Sequence, residues 1–318
     1  MPRLACFLDA GRSLEQGADR AALAESLGYE SVWATHTVTR EPMQVLAAYA
    51  ARTERIGLGT GVMPLVSRHP IVTAMEAATL DEASGGRLTL GMGISHRSLV
   101  EDWYGETFDK PLARMREYAT IVRTLLDQGA VNHEGEHYTA RFTFIGYKPR
   151  MGMKIFFAAL APGMLRLAAE LADGIVLWMC SPKYIRETIR PTIDEVLTKK
   201  GRDPAHFDIV AAVPSGLTEN LDAARDAFRR TAQPYPHLPF YRRVIEAGGH
   251  ADALAAADAG EPLPRSFVDA MAGIGDADAI RSKIEEYRDA GVTLPAVGSV
   301  PRHDGGAGVE ETLKAAMD

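Results

Sequence analysis

A histidine at the end of a β-rich run is the first residue in this chain that could do chemistry. Trp33-Ala34-Thr35-His36 closes an apolar stretch, and an imidazole there can give or take a proton near neutral pH. Position alone leaves two roles open for His36, proton transfer or a hydrogen-bonded structural histidine. Two further strand ends have the composition of a binding surface. Gly57-Leu58-Gly59-Thr60-Gly61-Val62 alternates glycine with other residues, which lets a flat ligand or a neighbouring backbone come close. Gly91-Met92-Gly93-Ile94-Ser95-His96 offers backbone N–H groups, a hydroxyl and a second imidazole. A third run, Ala158-Ala159-Leu160-Ala161-Pro162-Gly163, leads into a helix with small residues, so the amides at that helix start stay open to an anion such as phosphate, or simply make a tight turn.

One motif points elsewhere and is set aside. His133-Glu134-Gly135-Glu136-His137 fits the H-E-x-x-H zinc pattern, which needs both histidines on one helical face. Gly135 sits between them and the flanks alternate, so a polar hairpin is expected and no metal. Neither Cys6 nor Cys180 lies in a CxxC pair. Both fall in apolar runs that read as strands, as free thiols of a reducing compartment.

The elements that must position these residues alternate regularly. Strands are expected at Leu4–Asp9, Ser31–Ala34, Ile56–Val62, Arg87–Gly91, Lys154–Ala159, Ile175–Met179, Phe207–Val213 and Thr293–Val297. Between them the apolar residues recur at helical spacing. Ser13 with Gln16 makes a capping box and Gly28 a stop; Pro42 and Pro162 open helices, and Gly174 is expected to end the helix that begins at Pro162. Residues 96–110 read as a long loop, 131–144 as a hairpin, and 220–274 as an irregular helical insertion broken by Pro234, Pro236 and Pro239. Eight strands alternating with eight helices over 318 residues predict an α/β fold, a closed (β/α)8 TIM barrel spanning 1–318 as one domain. In such barrels the chemistry gathers where strands end.

Composition narrows the partners. The net charge is −7, so no counterion release favours a nucleic acid. No apolar run is long enough for a membrane span and no signal peptide is apparent; a cytoplasmic protein is expected.

Taken together, LGYESVWATH (27–36), ARTERIGLGTGV (51–62), HPIVTAMEAATLDEASGGRLTLGMGISH (69–96), DKPLARMREY (109–118) and FFAALAPGMLRLAAELADGIVLW (156–178) resemble the bacterial luciferase-like family of flavin and deazaflavin oxidoreductases, above all its coenzyme F420-dependent members. The resemblance implies hydride transfer between F420 and a small organic substrate, with an FMN-dependent monooxygenase as the alternative. It implies a non-prolyl cis peptide at Gly61-Val62 behind the cofactor ring, with Thr60 beside it. His36 would stand near the reactive carbon. Gly93, Ser95 and His96 would help hold the cofactor tail, and Ala159, Leu160, Ala161, Pro162 and Gly163 would cradle its phosphate. A homodimer is also implied, with the second and third helices as the pairing face. The chain departs from the family pattern in having Thr35 beside His36, where many deazaflavin members have an acid. Glu101 and Asp102 are the acids that follow the fourth strand.

Overall fold

The computed structural model describes residues 2–36, 39–300 and 308–317. Eight parallel strands close into a barrel: β1 (Ala5–Phe7), β2 (Ser31–Ala34), β3 (Gly57–Thr60), β4 (Leu88–Gly93), β5 (Lys154–Ala158), β6 (Gly174–Leu177), β7 (Asp208–Leu217) and β8 (Leu294–Ser299). Each pairs with its successor, and β8 returns to β1 through Ala5 opposite Ala296. The helices that follow them are α1 (Leu14–Leu27), α2 (Pro42–Arg52), α3 (Pro70–Ala83), α4 (Pro111–Gln128), α5 (Pro162–Leu171), α6 (Arg190–Lys199), α7 (Ala277–Asp289) and α8 (Val309–Met317). The fold is the (β/α)8 TIM barrel.

Local chemistry explains the boundaries. The Ser13 hydroxyl accepts from the Gln16 amide at 3.1 Å, and the Gln16 side chain turns back to the Arg12 amide at 2.9 Å. That is the reciprocal logic of a capping box, shifted by one residue. Gly28 ends α1 at φ 91°, a left-handed conformation that costs glycine nothing. Glu41 caps α2 and His69 caps α3, each followed by Pro at the first helical position.

The barrel interior is a packed layer, not a pore. Ala5, Trp33, Phe156, Val176, Val210, Leu294 and Ala296 fill it, with Phe7 and Val62 against its upper side. Trp33 stacks on Phe156 at 5.7 Å between ring centroids. So much aromatic volume inside eight strands requires glycine beside it. The register sets Trp33 opposite Gly59 and Phe156 opposite Gly174. A Cβ at Gly59 would lie 2.4 Å from the indole, one at Gly61 2.4 Å from the Phe7 ring, and one at Gly174 2.8 Å from the Phe156 ring. Gly59 and Gly61 therefore make room for barrel aromatics, where the sequence suggested a ligand or backbone neighbour, while Gly57 does face backbone, the Glu30 carbonyl. Gly174 likewise is the first residue of β6; α5 has already ended, with Ala172 as its C-cap.

Other boundaries differ in instructive ways. β7 runs on to Leu217 because its far half annexes a short extra strand, Gly273–Gly275, beyond the barrel. The loop after β4 contains a helical turn, Leu99–Trp103. Cys180 lies just past β6 and not in a strand; both cysteines are free and buried, and burial pushes both thiols well above their ordinary range. The insertion after β7 holds four helices, Leu221–Ala232, Pro239–Ala247, Ala251–Asp258 and Arg265–Met271, around a core of its own that includes Phe228, Tyr241 and Phe267.

The hairpin is present, Ala130–Glu134 against Thr139–Thr143, so His133 lies on its first strand and His137 in its turn, and they share no helix. Glu117 of α4 organises that turn. Its carboxylate accepts the amides of Glu136, His137 and Tyr138 at 3.0, 3.0 and 3.1 Å.

At the opposite end of the barrel from the mouth, Asp208 ties three strands together. It accepts from Arg3 at 2.5 Å, Lys154 at 3.1 Å and the Thr293 hydroxyl at 3.1 Å. Burial opposes its ionisation, but the hydrogen bonds and charges of Arg3 and Lys154 outweigh burial and hold the carboxyl below the usual range. The stabilisation is thus present above the unfolded-state value, near 3.9, and fades as pH falls through the depressed folded value. Asp208→Asn is expected to cost about 1–3 kcal/mol at pH 7, because both cationic partners are half exposed. Urea denaturation at pH 7 and pH 3 should show that difference shrinking in acid; an undiminished difference would rule out the charge as its source.

Candidate active site

The C-terminal strand ends bring His36, the β3–β4 glycines and the β5–α5 turn to one rim, the face where barrel enzymes work. His36 follows β2 and is half-buried. Its Nε2 lies 3.1 Å from the Tyr104 hydroxyl, which arrives on the loop after β4. Its Nδ1 is buried with no hydrogen-bond partner among the described residues. Burial lowers the pKa of His36; the nearby positive charge of Arg68 lowers it further and Glu41 offsets part of this. The ring is therefore neutral at pH 7. Arg68 itself is held by Glu41 and Glu76.

β3 does not run straight to its end. The peptide Gly61-Val62 is cis, as the resemblance implied, and Met63-Pro64 then rejoins β4. Two details revise the picture of this edge. The Thr60 side chain is fully buried and spent on β4: its hydroxyl donates to the Gly91 carbonyl and accepts the Gly91 amide, both at 2.8 Å. Any contact of Thr60 with a cofactor would come from its backbone. The Gly61 N–H is likewise committed, to the Ala34 carbonyl at 2.8 Å, so it is not the amide that a ring edge would meet.

Beyond Gly93, Ser95 adopts a left-handed φ of 63° and turns the chain toward His96. His96 packs on Tyr241 of the insertion, with ring centroids 5.5 Å apart. Its Nδ1 is also buried without a partner among the described residues, and burial lowers its pKa. The turn Ala159–Gly163 enters α5 with Ala161 as N-cap and no side-chain cap, unlike α1, α2, α3 and α7. The Leu160 carbonyl is fixed by the Tyr184 hydroxyl at 2.9 Å. An uncapped helix start with small residues around it presents amides to an anion. Two orphaned buried imidazole nitrogens and this open helix end fit a large polar cofactor that carries phosphate.

The acids after β4 are not brought in. Glu101 pairs with Arg97 at 2.7 Å, and Glu101 and Asp102 are exposed. Tyr104, on the same loop, is the residue that meets His36. Among the described residues no group of three or more His, Cys, Asp or Glu could hold a metal ion, and no helix is long and apolar enough to cross a membrane.

A barrel with this mouth and a cis peptide at the end of its third strand defines a class, and the sequence agrees. The chain belongs to the luciferase-like monooxygenase family, whose defining pattern matches residues 1–294. It is 31% identical to a putative coenzyme F420-dependent oxidoreductase of Mycobacterium tuberculosis, over 88% of this chain and 89% of that one. It is 33% identical to the 5,10-methylenetetrahydromethanopterin reductase of Archaeoglobus fulgidus, over 87% of each. In fold it superposes on the coenzyme F420-dependent tetrahydromethanopterin reductase of Methanopyrus kandleri with a TM-score of 0.82 at 24% identity, covering 99% of this chain and 97% of that one.

Proposed function

We propose that this protein is a coenzyme F420-dependent oxidoreductase that transfers hydride between the deazaflavin and a small organic substrate. The observation that carries the reading is His36, a neutral imidazole with one buried nitrogen unpartnered among the described residues, at the mouth of a barrel whose relatives at 31% and 33% identity are named for F420 dependence or for reduction of a methylene-pterin. When bound, a deazaflavin supplies a hydride-carrying ring carbon and reacts two electrons at a time.

This chain's residues do the rest. Val62 and the cis peptide before it back the ring face. Gly93, Ser95 and His96 border the tail, and the open amides of Gly163 and Met164 at the α5 start take phosphate charge. His36 holds or receives the proton that accompanies hydride transfer. The packed layer of Phe7, Trp33 and Phe156 closes the barrel beneath and excludes water from below. The reading extends to a homodimer. Val72 and Met75 leave apolar surface on the outside of α3, about two-fifths exposed each, which supports that helix as part of the pairing face.

The family's own description favours a second reading, an FMN-dependent monooxygenase. The two separate in one experiment. Purified, cofactor-stripped protein is titrated with deazaflavin and with FMN, and fluorescence quenching is followed. Saturable binding of the deazaflavin alone is expected; binding of FMN alone would overturn the F420 reading.

A further inference from the structure

A neutral imidazole is a poor proton donor, and His36 is neutral at pH 7. Yet hydride addition to a C=O or C=N carbon leaves an anionic heteroatom that must be protonated. The exposed acids on the nearby loop do not face the histidine, and Thr35 carries no carboxyl. What does touch His36 is a phenol. The Tyr104 hydroxyl sits 3.1 Å from Nε2.

That placement is built rather than incidental. The loop is pinned on both sides of Tyr104 by the insertion after β7. His96 packs on Tyr241, and Phe108, itself buried, packs on Phe240 at 6.4 Å with the Arg97 guanidinium 5.2 Å over its ring. The turn between these anchors leaves Trp103 half exposed and directs Tyr104 inward to His36. With Nε2 engaged, the free nitrogen of His36 is Nδ1, and a buried donor without a partner is costly unless a ligand completes it.

We propose that Tyr104 is a positioning and proton-relaying residue: its hydroxyl donates to His36 Nε2, holds the ring in the Nδ1–H form, and passes its proton to Nε2 as Nδ1 delivers its own to the substrate heteroatom. The proposal rests on the hydride-transfer reading. The reductant is the reduced deazaflavin, which gives a hydride, two electrons and one proton, to the substrate carbon. The heteroatom forms a bond to the Nδ1 proton as that N–H bond breaks. Nε2 takes the Tyr104 proton, leaving the ring neutral in its other tautomer. After product leaves, water protonates Nδ1 as Nε2 returns its proton to the phenolate, which regenerates the Nδ1–H ring and leaves hydroxide to the solvent. The relay thus couples the substrate to a phenol O–H through a neutral imidazole, whose N–H alone is a poor proton donor. In the oxidative direction the same steps run backwards.

The first test needs neither cofactor nor substrate. Long-range proton–nitrogen NMR on protein labelled with nitrogen-15 histidine, with the His36 signals assigned through His36→Asn, reports which ring nitrogen carries hydrogen. Wild type is expected to show Nδ1–H with unprotonated Nε2 above pH 7, and Tyr104→Phe a mixture of tautomers. Nε2–H in wild type, or no change in Tyr104→Phe, would overturn the proposal. The second test uses the loaded enzyme. Tyr104→Phe should lower kcat about 10²-fold with KM nearly unchanged, whereas Glu101→Gln and Asp102→Asn should leave kcat intact. Loss of kcat in either acid variant with none in Tyr104→Phe would assign the proton to the loop acids instead. Because the tautomer is read on the protein alone, it stands or falls separately from the deazaflavin titration.

Discussion

On the proposed hydride-transfer reading, replacing His36 with Asn is expected to lower the rate by about 10²–10⁴-fold while leaving cofactor affinity and fold nearly unchanged, the span that a positioned general acid or base contributes. The side chain is half-buried and among the described residues makes one hydrogen bond, to Tyr104. Its loss should therefore cost no more than about 1 kcal/mol of stability. Stopped-flow absorbance of the deazaflavin at saturating cofactor, with denaturation midpoints alongside, separates the two effects. A rate within about threefold of wild type would remove His36 from the chemistry. The pH dependence carries an independent sign. Burial and the Arg68 charge hold His36 below its ordinary value of 6.5, so the wild-type rate should be flat through pH 7 and change only at lower pH, as the ring gains a proton. Arg68→Met removes one lowering influence and leaves Glu41 and Glu76 uncompensated; the inflection should move up in pH.

Much of this was legible in the chain, and what was not has identifiable causes. Local signals worked where local chemistry decides. Ser13, Gly28, Pro42 and Pro162 mark helix ends because caps and proline geometry act within a few residues. The barrel followed from counting strands and helices, and the Gly61-Val62 cis bond from family pattern. Residues far apart in sequence were not readable. The meaning of Gly59 depends on Trp33, which is its neighbour only once β2 and β3 are in register. Gly174 has the composition of a helix stop, yet its lack of a side chain serves the Phe156 ring. Tyr104 meets His36 across 68 positions of sequence, and its placement depends on the insertion helix that carries Phe240 and Tyr241. An aromatic residue two positions beyond a pair of loop acids carries no local signal of that contact.

The same dependence on register makes a glycine on β4 the most sensitive structural position described here. A Cβ at Gly91 would stand 2.0 Å from the Thr60 carbonyl oxygen and 3.1 Å from Val62 Cγ1. The obstacle is backbone, and that backbone cannot swing aside cheaply. The Thr60 hydroxyl holds both the amide and the carbonyl of Gly91, so any separation of β3 from β4 breaks two buried hydrogen bonds. Gly91→Ala is expected to cost about 3–5 kcal/mol, overpacking plus the lost bonds, a large part of the stability of an ordinary domain. Gly59→Ala provides the contrast, since its clash is with the Trp33 side chain. Adding Trp33→Leu should recover about 1–2 kcal/mol relative to the sum of the single changes at position 59, and nothing at position 91. Urea denaturation of the single and double variants measures both couplings. Were Trp33→Leu to relieve Gly91→Ala as well, the rigid β3–β4 edge would be disproved.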